Sequence, residues 1–160
     1  MINRKIGIVV LALAGFAAGL VWQIYSRADF VTLDGQRHQW QGYRGEWVVV
    51  NYFAEWCAPC LREVPELNRF ARQVQQDPAV SLFAISYDPL SQTQLADLKA
   101  AHGMAFPLIA EIEQQGPLQR PRHLPATYIV APDGTLHGPL LGEQTAASLT
   151  AALEKLRAAG

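Results

Sequence analysis

The chain has two cysteines, Cys57 and Cys60, in the stretch "NYFAEWCAPC", directly after Trp56. A C-x-x-C pair can staple a loop, share in a metal site, or cycle between dithiol and disulfide. A structural zinc site normally takes four ligands, and this sequence has no second cysteine pair. His38, His102, His123 and His137 are scattered, without the H-x₃₋₅-H spacing of a zinc site. A structural disulfide closing so short a loop would remove little chain entropy. The redox reading leads, with zinc and a plain staple as its alternatives. No metal and no cofactor beyond the Cys57–Cys60 dithiol is expected.

The elements on either side of the pair say why it should react. "EWVVVNYF" is a continuous apolar run of the kind found in strands buried on both faces. After the cysteines, Leu61, Val64, Leu67, Ala71 and Val74 recur at helical spacing, until Asp77-Pro78 ends the run. Cys57 therefore falls where a strand ends and a helix begins. Free backbone N–H groups and the helix dipole favour a thiolate there. Pro59 suits the first helical turn, where its missing N–H costs nothing. Cys60, one turn deeper, should be the better buried. That asymmetry makes Cys57 the attacking nucleophile and Cys60 the resolving thiol.

The other elements obey the same logic. Phe30–Leu33 and Arg37–Trp40 read as a β-hairpin turning at Asp34-Gly35. "AVSLFAISY" is a second buried strand. Ser91 to Gln94 has the form of a capping box, opening a helix with Leu95 and Leu98 inward and Gly103 as its stop. "AFPLIA" reads as a short strand, and the stretch from Glu111 to His123 is polar, with Gly116, Pro117 and Pro121. "ATYIV", the "APDG" turn and "TLHGPLL" make a second hairpin. Thr145 caps a last helix with Leu149, Ala152, Leu153 and Leu156 on one side. The order predicts an α/β sandwich around a mixed sheet.

The N-terminus speaks to location. Arg4 and Lys5 precede the uncharged segment Ile6–Tyr25, which as a helix would reach roughly 30 Å, about one hydrocarbon thickness. Trp22 and Tyr25 lie at its far end, where aromatic rings favour the interface. The positive-inside rule keeps Arg4 and Lys5 in the cytoplasm and exports the chain beyond Tyr25. The expected organisation is a cytoplasmic tail over residues 1–5, a transmembrane signal-anchor over 6–25, a tether over 26–29 and one domain over 30–160. A signal peptide cleaved after "SRA" is the alternative, although such apolar regions normally run only about 7–15 residues. The net charge of −1 gives no reason to expect nucleic-acid binding, which usually shows as a clustered basic surface.

The block "FVTLDGQRHQWQGYRGEWVVVNYFAEWCAPCLREVPEL" resembles the TlpA/ResA-type thioredoxin-like thiol:disulfide oxidoreductases. These are membrane-anchored and face the bacterial periplasm or outer surface. The likeness extends from Phe30 to Arg157. It implies a thioredoxin-like fold, a mixed central sheet flanked by helices, with an N-terminal β-hairpin extension. It implies catalytic roles for Cys57 and Cys60. It also matches Pro125, in "LPATYIVAPDG", to a cis-proline loop facing them. The Leu124 backbone would then lie beside the Cys57 sulfur, where a substrate chain could pair as an added strand, and Trp56 would pack beside the rim and shield the sulfurs.

The family often has an acid at the position of Glu63. A partly buried carboxylate with a raised pKa could take the proton of Cys60 during exchange. Asn51 stands where thioredoxin carries a buried acid, which shifts that task to Glu63. Pro65 should kink the helix. "QRPRHL", ahead of Pro125, lacks the glycine-rich approach of cytochrome c maturation reductases, and a proline matching Pro65 is unusual in them.

The implied partners are disulfide-containing exported proteins, the membrane, and a transmembrane thiol donor of the DsbD type. The expected state is a monomer on the bacterial inner membrane with its domain in the periplasm. Two other functions compete. The Phe30–Phe53 block also resembles redoxins, so a thiol peroxidase is one, but the threonine typical of those enzymes three residues before the reactive cysteine is Ala54 here. A copper-handling dithiol module is the other, and Met1 and Met104 are the only methionines to support it.

Overall fold

The computed structural model describes residues 27–159, so the expected tail and membrane segment lie outside the described residues. Among the described residues, no helix is long and apolar enough to cross a membrane. Seven strands form one sheet in the order β2-β1-β5-β4-β3-β6-β7. They are β1 (Phe30–Thr32), β2 (Arg37–His38), β3 (Trp47–Phe53), β4 (Val80–Ser86), β5 (Leu108–Ile112), β6 (Ala126–Val130) and β7 (Leu136–Leu141). β3, β4 and β5 run parallel, and the pairings β1–β2, β1–β5, β3–β6 and β6–β7 are antiparallel. The sheet is mixed, as its sequence pattern predicts.

Side chains alternate along a strand, so β3 feeds two cores. Val49 and Phe53 join one cluster, while Val48, Val50 and Tyr52 join the other. The first cluster takes its partners from the helices: α1 (Ala58–Arg62), α2 (Val64–Val74), α3 (Gln92–Ala101) and α4 (Ala146–Ala159). Leu67, Phe70, Leu95, Leu98, Leu149 and Leu153 all pack there. The flanking by helices is thus one-sided.

The second face is covered by irregular chain. Phe30 stacks on His38 with ring centroids 4.9 Å apart and meets Phe83 edge-on at 5.2 Å. Trp40, Tyr43 and Leu118 complete this layer. The expected strand Arg37–Trp40 is shorter than the pattern predicts. It stops at His38, and Trp40–Tyr43 forms a 3₁₀ turn. The Trp40 N–H donates to Asp29 Oδ2 at 2.7 Å instead of to a strand neighbour. The same Asp29 gives its carbonyl to the N–H groups of Glu113 and Gln114, so the packed domain reaches back past Phe30. Within the polar stretch, Leu118 and Pro121 are buried. Gly116, at φ +57°, lies so close under the Trp40 ring that a Cβ there would stand 2.2 Å from it.

Two helix expectations hold in detail. Ser91 and Gln94 form a reciprocal capping box, and Leu95 and Leu98 are buried. Thr145 Oγ1 accepts from the Ser148 N–H at 3.0 Å, capping α4. The helix after the cysteines, read as one run with a kink, is divided at Glu63. Pro65 has no N–H to give the Leu61 carbonyl and its ring crowds that oxygen, so the ladder breaks there.

Truncating Phe30 to Ala removes a wholly buried ring from the second core and should cost about 3–5 kcal/mol. Urea unfolding checks this: the midpoint should fall while the slope stays unchanged.

Candidate active site

β3 delivers the chain to the redox pair. It ends at Phe53, and Cys57 then caps α1, with the Leu61 N–H donating to its carbonyl at 3.1 Å. Cys57 and Cys60 are joined by a disulfide. The Cys60 N–H donates to Cys57 Sγ at 3.3 Å, so a backbone dipole points at that sulfur and would favour negative charge on it. Both residues are buried, Cys57 to 5% exposure and Cys60 to 1%. Cys60 is the better buried of the two, as its place one turn deeper predicts.

Glu63 sits at the break between α1 and α2, three residues after Cys60. Side chains at that spacing on a helix are neighbours, with Cβ atoms about 5–6 Å apart. The carboxyl is 2% exposed, more deeply buried than the partly buried acid expected. Asn51 Nδ2 donates to its Oε1 at 2.7 Å, and the Gln144 N–H donates to its Oε2 at 2.9 Å. Burial pushes its pKa from 4.5 up to about 7, the two donated hydrogen bonds oppose that rise, and Glu143 adds to it. A carboxyl raised this far towards neutrality can take up or release a proton near the working pH.

The proline loop comes to the same end of the sheet through pairing. Tyr52 is opposite Ala126, so Pro125 lies where β3 runs out towards Cys57. The Leu124–Pro125 bond is cis, as the resemblance implies. Pro125 is buried, and its carbonyl accepts from the Gly142 N–H at 3.0 Å. Leu124 is half-buried and touches both cores. Trp56 is 67% exposed, with its indole N–H donating to Asp88 Oδ2 at 2.6 Å and its ring edge-on to Tyr87. It forms an open flank beside the pair. Glu55 is exposed.

Two contributors escaped the sequence reading. Thr127, wholly buried, accepts from Asn51 Nδ2 at 3.1 Å, and Gln144 acts through its backbone alone. Thr127 carries no local signal, because only the strand register brings it to Asn51. A main-chain donor has none at all.

Residues 25–138 match the AhpC/TSA family. The chain belongs to that family. Among its relatives, the thiol-disulfide oxidoreductase ResA of Geobacillus thermodenitrificans is 28% identical over 81% of this chain and 75% of its own length. The thioredoxin-like protein YneN of Bacillus subtilis is 22% identical over 87% of this chain and 89% of its own. A crystal structure of a secreted thiol-disulfide isomerase from Corynebacterium glutamicum shares the fold. Its TM-score is 0.62, at 19% identity, over 76% of this chain and 78% of that one. The ResA-type relatives and the Cys57–Cys60 pair agree on the enzyme class. It is a thiol:disulfide oxidoreductase of thioredoxin-like fold.

The Glu63 pKa has a consequence for stability. Because the folded value lies above the unfolded one, proton-linked stability is full below about pH 4.5 and is lost as pH rises through about 7. A shift of this size corresponds to about 3 kcal/mol. The oxidised Glu63→Gln protein should therefore exceed its parent in stability by about 2–3 kcal/mol at pH 8, and match it near pH 4. Urea unfolding at the two pH values measures the difference; an advantage that grows on acidification would contradict the burial argument.

Proposed function

We propose that the protein is an extracytoplasmic reductant of disulfides in exported proteins, held to the bacterial inner membrane by its N-terminal segment. The observation that carries the reading is the buried acid Glu63 one turn beyond a disulfide whose outer sulfur belongs to Cys57.

In the reduced enzyme, Cys57 thiolate attacks one sulfur of a substrate disulfide. A Cys57–substrate disulfide forms, and the other substrate sulfur leaves as a thiolate. Glu63 carboxylate takes the proton of Cys60, whose thiolate attacks Cys57 Sγ. The substrate's second sulfur departs, and two electrons have passed from enzyme to substrate. Pro125 and Leu124 offer the chain beside which a substrate segment lies, and Trp56 supplies apolar contact. A transmembrane thiol donor of the DsbD type returns the Cys57–Cys60 disulfide to the dithiol. Ala-Pro between the cysteines resembles the Gly-Pro of reducing thioredoxins, which supports reduction as the direction. The enzyme works as a monomer.

The AhpC/TSA match supports a second reading, peroxide reduction at Cys57. Ala54 opposes it, since a buried methyl supplies no hydroxyl to the reacting oxygen.

Cys60→Ser, expressed in the source bacterium, should accumulate exported proteins as mixed disulfides on Cys57. Gel analysis with and without reductant, followed by mass spectrometry, identifies them. Empty traps, together with exported thiols unchanged in Cys57→Ser cells, would sink the reductase reading. Peroxide consumption by Cys60→Ser would favour the second.

A further inference from the structure

Asn51 occupies a strand position where its surroundings can be counted. It shares the helix-facing side of β3 with Val49 and Phe53. Register sets Thr127 of β6 on one side of it and Ala84 of β4 on the other. Ala84 has nothing to bond. Glu63 and Thr127 do, and the same amide nitrogen serves both, at 2.7 and 3.1 Å. The other end of the amide is left over: Asn51 Oδ1 is buried and has no partner among the described residues, in a side chain only 1% exposed.

An ionised carboxylate can only accept hydrogen bonds, so it requires the NH₂ end of the amide. A neutral Glu63 carries an O–H, which requires an acceptor. The proton belongs on Oε1, because Oε2 faces the N–H of Gln144, a main-chain donor that cannot turn away. Oε1 is the oxygen that faces Asn51. Turning the carboxamide by half a revolution presents Oδ1 to that new O–H. Thr127 tolerates the change, since a hydroxyl accepts from Nδ2 in one orientation and donates to Oδ1 in the other. The far end of the amide lacks a partner either way, so the turn loses no bond there.

We infer that Asn51, seated against Thr127, is a positioning residue that serves Glu63 in both protonation states by reversing its carboxamide when the proton arrives. The role rests on Glu63 as proton acceptor for Cys60. It explains why an amide suits this site: an aspartate would set a second negative charge against Glu63, and an aliphatic side chain would serve neither state. The other charged group acting on Glu63 is Glu143, which is paired with Arg62. In the oxidised protein the cysteines do not titrate.

The test is side-chain NMR on the oxidised full-length protein across pH 5–9. The Asn51 NH₂ resonances should titrate with the same midpoint as the Glu63 carboxyl carbon, and their NOE to the Thr127 side chain should disappear on the acid side. Asn51→Ala should raise the Glu63 midpoint by about one pH unit, since the ionised form loses its charge-assisted donor. Thr127→Val should uncouple the amide from the titration, and Thr127→Ser should restore it. Asn51 resonances and NOEs that stay constant through the Glu63 midpoint overturn the inference, and the wild-type spectra alone can show this. A coupled amide in a protein whose reductase pH profile ignores the Glu63 midpoint supports the reversal, while removing the proton-acceptor reading of Glu63.

Discussion

Pairing β3 antiparallel with β6 sets Asn51 against Thr127 and Tyr52 against Ala126, and both consequences converge on the disulfide. The first builds a polar floor beneath the break between α1 and α2. The second brings Pro125 to the sheet end from which Cys57 emerges. A one-residue slip would reverse the faces of every β6 side chain. Thr127 would leave the helix side, and Tyr128 would enter it. The hydrophobic pattern resists that slip, since Ile129 belongs to one core and Ala126, Tyr128 and Val130 to the other. The packing of the sheet and the chemistry of the site thus depend on a single register.

Placing a carboxylate on that floor is unfavourable in itself, and the surroundings compensate only in part. Two donors meet the ionised oxygens, but both are neutral, and no cation makes an ion pair with Glu63 among the described residues. Arg62, its neighbour in the chain, instead pairs with Glu143. A charged partner would hold Glu63 ionised and hold its pKa low. Neutral donors leave its proton loosely balanced, which suits the proton-accepting role proposed for it. The β7–α4 connection is drawn in by this arrangement: Gln144 bonds Glu63, and the Ala146 N–H donates to Glu66.

The opposite face meets a different need. With all four helices on the disulfide side, an aromatic layer led by Phe30 and Phe83 shields the other side of the sheet. His38 belongs to this layer: its ring nitrogens are engaged by the Tyr43 and Thr32 hydroxyls, and burial lowers its pKa. The N-terminal hairpin therefore works as a lid on the second core.

Much of this was legible in the residues. The continuous apolar run of β3, the helical spacing after Cys57, the capping box at Ser91 and the cap at Thr145 are local signals, because each arises from neighbours in the chain. The C-x-x-C pair at a strand–helix junction determined the reaction class for the same reason, and charged residues ahead of a long apolar segment argued for export. What sequence could not carry was the company that Glu63 keeps. Its burial, its bond to Asn51, the support of Thr127 and the donor from Gln144 join positions 12 to 81 residues apart. Even the hairpin ends short of Trp40, where a tertiary hydrogen bond to Asp29 overrides strand propensity. Short-range spacing determined which sulfurs react. Only the folded register decided the pKa of the acid beside them, because desolvation and hydrogen bonding depend on atoms that come together in space.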